Sequence, residues 1–528
     1  MLSRNSDQVY DLIVIGAGFS GIETARFYLE AHSKCRPLIV DKYEYPGGVW
    51  SKSHVYSGFW SQTGERMVGF SDRPFELPID APRIHIDLFE AKYMAEYFDE
   101  YMDSHSYEGQ TLKDRTMFNF SVERVQKVKD LWTVSGVQNG ANFDFRSTRL
   151  TVATGAFSRP YYPIMQGRDD FKGPVIHSKE FGQSNAQSDP SIKKIIVLGA
   201  SKSAADYSWV IRKSGQGPGL FLDPAVPGPY RNSIEVAHVK LFSILFPSPW
   251  GSFSWWRHVL HSTNFGKRLT RGFMSAAMSV AMKAANYRNR PGARDGFQNL
   301  EPTLEVVVVR EDVSCLDNRG MVLADGSSVA TDAIVLATGF LDSHTYFDTE
   351  QKIQLGLPHL KSDGSSSEAA LWKKLEDAAE PTILQCYPAF ADPPKDIYVA
   401  PCRSSRTAFR LYKHITPIHD HSIAFPGEPQ VANAFRNGEL RGIWITALFD
   451  GALKLPTEEK MRESIAYANV FSRLNAPTAG LQGEWITPAG GMRYFEALLQ
   501  EVDLKSHKKS WLLDLVTPYI MSDYKGLK

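Results

Sequence analysis

Two glycine-rich segments, each directly after a short apolar run, most constrain how this chain can fold. The first is Gly16-Ala17-Gly18-Phe19-Ser20-Gly21, and the second is Gly199-Ala200-Ser201-Lys202-Ser203-Ala204. A strand, closely spaced small residues and a helix start form a pyrophosphate cradle, because the backbone comes close and the helix N-terminus offers N–H groups. The sequence therefore predicts two dinucleotide sites, which suggests a flavin and the nicotinamide that reduces it.

The first segment carries the further signals of a complete nucleotide-binding unit. A helix is predicted over residues 20–30 and a second strand over 37–40, and Asp41 ends that strand, 20 positions after Gly21. A carboxylate at this distance accepts hydrogen bonds from ribose hydroxyls. The residues expected to contact this cofactor are Gly16, Gly18, Phe19, Ser20, Gly21, Asp41 and Lys42.

Two later strands end in the same tripeptide. Residues 150–152 lead into Ala153-Thr154-Gly155, and residues 334–336 lead into Ala337-Thr338-Gly339. Each tripeptide follows one glycine-rich segment by a similar interval, and such an ending allows a tight turn near a cofactor. An ordinary strand end is the alternative for either one alone. The repetition favours a cofactor role for Thr154, Gly155, Thr338 and Gly339.

Length and composition limit the remaining possibilities. With 528 residues and a formal net charge of zero, the chain is expected to form two or three domains, and nucleic acid or an anionic membrane is not expected as its main partner. Its four cysteines form no CxxC motif, which indicates a reducing, cytoplasmic location. We expect no signal peptide and no membrane span, since a span needs about 20 apolar residues.

With these motifs, the chain resembles the flavin-containing monooxygenases, which are class B flavoprotein oxygenases, over nearly its whole length. Pro46-Gly47-Gly48-Val49-Trp50 is similar to the family's Gly-Gly-x-Trp motif. Residues 171–178 match the FxGxxxH signature, the most specific of these motifs, with His177 at the histidine position. The second glycine-rich segment resembles the family's GxSxSA, and residues 337–340 resemble its ATGF turn.

The resemblance implies an α/β fold with two Rossmann-like domains, in which an NADPH domain is inserted into a discontinuous FAD domain. The implied FAD domain comprises residues 1–178 and 341–528, and the NADPH domain comprises 179–340 with an inserted segment at about 217–299. The aromatic residues of that segment either pack its core or form a lid over the substrate.

The resemblance also assigns further cofactor contacts. It implies FAD contacts from Gly48, Val49 and Trp50. It implies NADPH contacts from Ser201, Ser203, Arg212 and Lys213. The two basic residues are candidates for binding the 2′-phosphate, and a solvated helix or strand end is the alternative.

The implied reaction inserts one oxygen atom from O2 into a small organic substrate, by N- or S-oxygenation or by a Baeyer–Villiger reaction. NADPH reduces FAD, and reduced FAD forms a C4a-(hydro)peroxide with O2. His177 is expected to organise the interface between the domains rather than transfer protons. A surface histidine without a role is the alternative.

The sequence departs from the family pattern at three places. Where the family has an Asn at the reactive edge of the flavin, residues 61–67 form a shorter stretch with Gly64, and Gln62 is the candidate replacement. Phe181 stands where the signature ends in Tyr. Only eight residues, 201–208, separate Ala200 from the segment 209–213, which resembles the second strand of the family's nucleotide-binding unit. A βαβ crossover needs about 10–12 residues, so this connection is too short.

These departures keep other classes of protein open. A flavin oxidase, or a non-oxygenating FAD-binding protein with an impaired NADPH site, needs no intact second unit. A disulfide reductase also carries two nucleotide-binding units, but this chain has no close cysteine pair.

Overall fold

A computed structural model describes residues 8–84, 87–186, 188–199, 203–204, 230–231, 233–236, 238–251, 254–284, 309, 311–392, 405–428, 430–431, 433–476, 485–486, 488–506 and 509–527. The helices in this part of the chain are α1 (Phe19–Ala31), α2 (Ala91–Ser104), α3 (Ser233–Val236), α4 (Lys240–Ser243), α5 (Trp255–Ser262), α6 (Asn264–Ala284), α7 (Thr349–Leu355), α8 (Ser366–Cys386), α9 (Ala434–Phe449), α10 (Glu458–Asn475), α11 (Pro488–Glu501) and α12 (Trp511–Val516).

The strands in the same ranges are mostly short. They are β1 (Val9–Ile15), β2 (Pro37–Val40), β3 (Ser106–Tyr107), β4 (Gln110–Thr111), β5 (Thr116–Met117), β6 (Phe120–Val128), β7 (Leu131–Gln138), β8 (Ala141–Val152), β9 (Arg159–Pro160), β10 (Val175–His177), β11 (Ile195–Leu198), β12 (Val313–Leu316), β13 (Gly320–Leu323), β14 (Ser328–Ala330), β15 (Ala333–Leu336), β16 (Phe340–Leu341), β17 (Ile423–Ala424), β18 (Gln430–Val431) and β19 (Trp485–Ile486).

The larger sheet forms around the first glycine-rich segment. Its strand order is β5-β2-β1-β8-β7-β6, with β17 paired to β8. β1 is parallel to both β2 and β8, and Ile15 pairs with Val40 on one side and Val152 on the other. Leu12 and Val14 of β1 pack into one core, whereas Tyr10, Ile13 and Ile15 pack into a second. Both faces of this sheet are therefore covered, as is usual for parallel strands.

Helix α1 packs closely against α9 on one face of the larger sheet. A Cβ on Gly442 of α9 would lie 3.0 Å from the Phe27 ring and 3.1 Å from the carbonyl oxygen of Glu23. The contact buries an ion pair, in which Nη1 of Arg26 donates to Glu23 at 2.9 Å. The return of the chain after residue 341 therefore completes the unit that the first strands begin.

A smaller parallel sheet carries the second glycine-rich segment. Its order is β10-β15-β11, and β12, β13 and β14 form an antiparallel sheet that packs into the same core. The mixed α/β class expected from the sequence is confirmed. The boundary at residue 178 stays a prediction, and β10, which precedes it, already pairs with β15.

The described part of the inserted segment lies against the larger unit, although the smaller sheet precedes it in the chain. Trp250 is buried with its ring centroid 5.1 Å from that of Tyr494. The Ser262 hydroxyl donates a 2.9 Å hydrogen bond to the carbonyl oxygen of Cys386. Trp255 and Trp256, by contrast, are exposed. The expectation that the aromatic residues pack a core of the segment itself is therefore wrong for these three tryptophans.

Candidate functional site

The first glycine-rich segment turns sharply between β1 and α1. Gly16 has a φ of +112°, and a Cβ there would lie 2.6 Å from the carbonyl oxygen of Ala153. A Cβ on Gly21 would lie 1.9 Å from the carbonyl oxygen of Gly16, so helix and strand approach too closely for a side chain. At Gly18, the nearest atom to a Cβ would be Cα of Gly48, at 3.7 Å. A Cβ on Gly18 would therefore make only ordinary contact, and Gly18 lies at the N-terminus of α1, where a pyrophosphate binds in such units.

Buried polar atoms beside this turn are available to a ligand. Oγ of Ser20 and Oδ1 of Asn437 are buried without a hydrogen-bond partner in the described part of the chain. Asn437 precedes Gly438, whose Cβ would lie 3.3 Å from the Phe19 ring and 3.4 Å from Cα of Ser20. Because buried polar groups are normally hydrogen-bonded, these orphaned oxygens fit a polar cofactor.

Asp41 joins the end of β2 to the glycine-rich turn. Its Oδ2 accepts a 2.7 Å hydrogen bond from the N–H of Ala17, and its Oδ1 accepts a 2.8 Å bond from the N–H of Tyr43. Burial raises the pKa of Asp41, although these two bonds favour the ionised form. Each oxygen has a further lone pair, which can accept from a ribose hydroxyl.

The Gly-Gly-x-Trp motif lies over the same turn. The N–H of Gly47 donates a 2.8 Å hydrogen bond to the carbonyl oxygen of Ala17. A Cβ on Gly48 would lie 3.2 Å from Cα of Gly18. The two glycine motifs therefore meet backbone to backbone.

The remaining side chains expected at this site differ in exposure. Trp50 is half-buried and stacks on Phe59, with centroids 5.6 Å apart and 8° between the ring planes. Val49 is exposed. Nζ of Lys42 donates a 3.1 Å hydrogen bond to the carbonyl oxygen of Ser158. Their cofactor contacts stay predictions.

The two Ala-Thr-Gly turns occupy equivalent places beside the two glycine-rich segments. The N–H of Ala153 donates to the last residue of β1, and that of Ala337 donates to the last residue of β11, both at 2.8 Å. A Cβ on Gly199 would lie 2.4 Å from the carbonyl oxygen of Ala337, which repeats the contact between Gly16 and Ala153. The repetition noted in the sequence is therefore a structural repeat.

Within these turns, the threonine hydroxyls have protein partners. Oγ1 of Thr154 lies 3.1 Å from the Tyr346 hydroxyl, and Oγ1 of Thr338 donates a 2.6 Å bond to the carbonyl oxygen of Tyr161. Gly155 has a φ of +65°, and a Cβ there would meet no atom within 4 Å. Gly155 therefore leaves space for a ligand, whereas the two threonines brace the turns.

His177 is fully buried at the end of β10, so it is not a surface histidine. Its Nε2 lies 3.0 Å from the carbonyl oxygen of Gly339, and its Nδ1 accepts a 3.1 Å bond from the N–H of Lys179. Because a carbonyl oxygen only accepts, Nε2 carries the proton. Burial lowers the pKa of His177, which keeps the ring neutral. A neutral ring with both nitrogens bound to backbone suits positioning rather than proton transfer.

The residues after His177 contact the larger unit. Nε2 of Gln183 donates a 2.6 Å hydrogen bond to the carbonyl oxygen of Ser53. Phe181 is fully buried, and its ring lies edge-on to Tyr56 at 5.6 Å. This apolar contact has no need of a hydroxyl, which accounts for Phe at the position where the family signature has Tyr.

Gln62 lies half-buried in the loop before a 3-10 helix at Glu65–Met67. A Cβ on Gly64 would lie 2.3 Å from the Asp87 carboxylate. The Asp87 side chain thus occupies the space that a larger residue at position 64 would need. Whether Gln62 acts at the flavin edge stays a prediction.

Sequence reasoning missed an ion cluster that joins this loop to the inserted segment. Glu235 is fully buried, and its Oε1 accepts a 2.9 Å hydrogen bond from Nε of Arg66. Its Oε2 accepts a 2.8 Å bond from the N–H of Arg231. Nη1 of Arg231 lies 3.5 Å from Glu65 and 3.6 Å from Asp87. The only sequence signal was the charged pair at 65–66, close to Gln62.

The structure describes less of the second nucleotide site. Ser201, Arg212 and Lys213 lie outside the described residues, as do most of the short crossover at 201–208 and the segment 209–213. Ser203 is half-buried with a helical backbone. A helix start after Gly199 agrees with a nucleotide-binding turn.

Known proteins resemble this chain over nearly its whole length. A family model described as pyridine nucleotide-disulphide oxidoreductase matches residues 13–217. An FAD-dependent monooxygenase from Pyrenophora dematioidea is 27% identical, covering 88% of this chain and 93% of that protein. The FAD-dependent monooxygenase resA from Aspergillus sclerotiorum is 26% identical, covering 98% and 97%. A solved structure of a cyclohexanone monooxygenase mutant from Rhodococcus sp. Phi1, bound to NADP+, has a TM-score of 0.57 at 17% identity, covering 94% and 98%.

The fold and the motifs together resemble those of the class B flavin monooxygenases. The resemblance drawn from the sequence is thereby confirmed, and the chain is an FAD-dependent oxidoreductase. Among the described residues, Cys35, Cys315 and Cys386 are free thiols, so these three give no redox disulfide of the kind that the family model's description includes.

Proposed function

We propose that this chain is an FAD- and NADPH-dependent monooxygenase that inserts one oxygen atom from O2 into a small organic substrate. The observation that carries the proposal is the repeated contact of Gly16 with Ala153 and of Gly199 with Ala337. Two equivalent turns suit two bound dinucleotides. The reduction of FAD by a nicotinamide requires that both dinucleotides bind to the same protein. The names of the relatives and the NADP+ bound to the cyclohexanone monooxygenase mutant support it.

In this proposal the first turn holds FAD. The open backbone at Gly18 and the N-terminus of α1 bind the pyrophosphate, Oγ of Ser20 donates to it, and Asp41 accepts from the ribose. Bound FAD supplies hydride acceptance and the activation of O2. No nucleophilic side chain is required of the protein, which orients the reactants and excludes water.

The second turn holds NADPH within the proposed domain 179–340. Ser201 and Ser203 contact the pyrophosphate, and Arg212 and Lys213 bind the 2′-phosphate as charge-assisted donors. His177 holds the linker against Gly339 and so fixes how the nicotinamide meets the flavin. The ion cluster of Arg66 and Glu235 holds the inserted segment beside the loop of Gln62, where it limits the access of water.

Isotope incorporation tests this function. The FAD-loaded protein is incubated with NADPH and isotopically labelled O2 in the presence of a tertiary amine, a thioether or a cyclic ketone. Mass spectrometry of a product with one labelled oxygen atom supports oxygenation and identifies the atom that is attacked. Release of one H2O2 per NADPH without a labelled product from any of these substrates would instead count against oxygenation.

A further inference from the structure

The inserted segment has a charge distribution unlike that of the whole chain. Between Glu235 and Asp295 the sequence contains nine Lys and Arg residues and no Asp or Glu, whereas the chain as a whole has a net charge of zero. The overall balance of charge therefore hides one strongly basic segment. Helices α5 and α6 form its described centre.

These two helices also expose large apolar side chains. Trp255 and Trp256 on α5 are 65% and 61% exposed. On α6, Phe265, Leu269 and Phe273 are 72%, 50% and 42% exposed. The spacing of four places the α6 residues on one stripe of the helix. Tryptophans and an apolar stripe with this exposure are unusual for a surface in water.

Basic side chains accompany this apolar stripe. Arg268 and Arg271 are exposed and Lys267 is half-buried, all within the same turns of α6 as Leu269. An amphipathic helix with aromatic and aliphatic residues on one side and Lys or Arg beside them lies in the plane of a membrane interface. Tryptophan also favours that interface, because its ring is apolar and its N–H is polar.

Neighbouring elements extend the apolar area. The ring of Phe242 on α4 lies 5.7 Å from that of Phe273, and Leu241 beside it is exposed. Helix α12 lies beside α4, because Nζ of Lys240 on α4 forms a 2.9 Å ion pair with Asp514 of α12. Residues 511–513 of α12, Trp-Leu-Leu, are exposed as well. Four helices thus contribute to the area.

We propose that this surface docks the protein on an anionic lipid bilayer. We call it the basic-aromatic surface and define it by Trp255, Trp256, Phe265, Lys267, Arg268, Leu269, Arg271 and Phe273. Charge complementarity selects the partner, because a basic segment without acidic residues attracts anionic headgroups while exposed tryptophans enter the acyl boundary. Within the described ranges, no helix has the length and apolar character of a membrane span, so the proposed contact is interfacial.

Vesicle sedimentation tests the proposal with the full-length, FAD-loaded protein. Sucrose-loaded vesicles of phosphatidylcholine alone are compared with vesicles containing phosphatidylserine, at low and high salt. We expect sedimentation with the phosphatidylserine vesicles and weaker binding at high salt. The variants Trp255→Ala/Trp256→Ala and Lys267→Glu/Arg268→Glu/Arg271→Glu should each lower the partition coefficient by roughly tenfold or more.

Matched control variants test whether a loss of vesicle binding is specific to the basic-aromatic surface. Lys373→Glu/Lys374→Glu reverses two exposed charges on α8, and Ile79→Glu replaces a fully exposed apolar side chain. Both should bind vesicles as the wild type does, and the flavin content of every variant shows that it is folded. Equal binding of the surface variants and the wild type would overturn the proposal. So would dimerisation through this surface, seen in light scattering as a dimer that Trp255→Ala/Trp256→Ala dissociates.

Discussion

Nζ of Lys179 donates a 2.9 Å hydrogen bond to the carbonyl oxygen of Ser158. The backbone N–H of the same residue donates to His177, whose ring donates to Gly339. Ser158 follows the first Ala-Thr-Gly turn by three residues, and Gly339 ends the second. His177 and Lys179, two residues apart in the chain, thus connect the turns of both nucleotide-binding units.

Removal of the His177 ring should impair the coordination of the two units without loss of FAD. We expect His177→Ala to keep its flavin and to lower the rate of NADPH-dependent flavin reduction by roughly tenfold, because one buried hydrogen bond contributes about 1–1.5 kcal/mol. The fraction of NADPH oxidation that ends as H2O2 should rise. Stopped-flow absorbance and a peroxide assay measure the two effects. Tyr162→Phe, which keeps the ring beside His177, should retain wild-type values; a His177→Ala protein with wild-type rate and coupling would contradict the role.

The Lys179 contact predicts a pH dependence of stability. Burial, aided by the nearby Lys42, lowers the pKa of Lys179 to about 7, whereas an unfolded lysine titrates at about 10.4. Between these values the unfolded chain binds more protons, so this group makes the folded state more stable as the pH rises.

Thermal unfolding of Lys179→Met should reveal that trend. The difference in melting temperature between wild type and Lys179→Met should grow in favour of the wild type from pH 7 to pH 9.5. This range lies between the pKa of about 7 in the folded protein and the pKa of about 10.4 in the unfolded chain. Lys172→Met removes a charge from the same linker and controls for the effect of net charge. A difference that is constant or shrinks over this range would exclude a buried, neutral Lys179.

A substitution at Gly18 tests cofactor binding with less effect on folding than a substitution at Gly16 or Gly21 would have. A Cβ at position 18 makes only ordinary contact with Gly48, so Gly18→Ala should fold, yet the methyl group enters the space proposed for the pyrophosphate. We expect purified Gly18→Ala to contain little flavin by absorbance. Gly272→Ala, where a Cβ meets nothing within 4 Å, should retain full flavin. Full flavin occupancy in Gly18→Ala would refute this site.

The ion pair of Arg66 and Glu235 should contribute strongly to stability. Arg66→Ala leaves a fully buried carboxylate without this partner, which costs about 3–5 kcal/mol in comparable pairs. Lys373→Ala removes an exposed pair with Asp377, which typically costs about 0–1 kcal/mol. We expect the melting temperature of Arg66→Ala to lie well below that of Lys373→Ala. We also expect trypsin to cut the inserted segment of Arg66→Ala sooner than that of Lys373→Ala. Equal melting temperatures would show that the cluster does not hold the segment.

Much of the site was predictable because its signals are local. The strand at 37–40 and the turn at Gly16 follow from short apolar runs and from spacing that only glycine tolerates. The equivalence of Ala153 and Ala337 followed from matched intervals. Their hydrogen bonds to β1 and β11 then explain why both turns recur at these positions.

The placement of the inserted segment was not predictable in this way. Its contacts with the larger unit, such as Trp250 with Tyr494, join residues far apart in the sequence, and nothing local to either residue specifies the partner. The same holds for Glu235 and Arg66. The net charge of zero also conceals the basic segment, because it averages that segment with an acidic remainder.

Anaerobic reduction by NADPH tests the central claim most directly. The FAD-loaded protein is mixed with NADPH in the absence of O2, and the flavin absorbance is followed in a stopped-flow instrument, with NADH and dithionite in parallel. We predict that NADPH bleaches the flavin and does so faster than NADH. A flavin that dithionite bleaches but NADPH leaves oxidised would contradict the account, because the second turn would then not deliver a nicotinamide to the first.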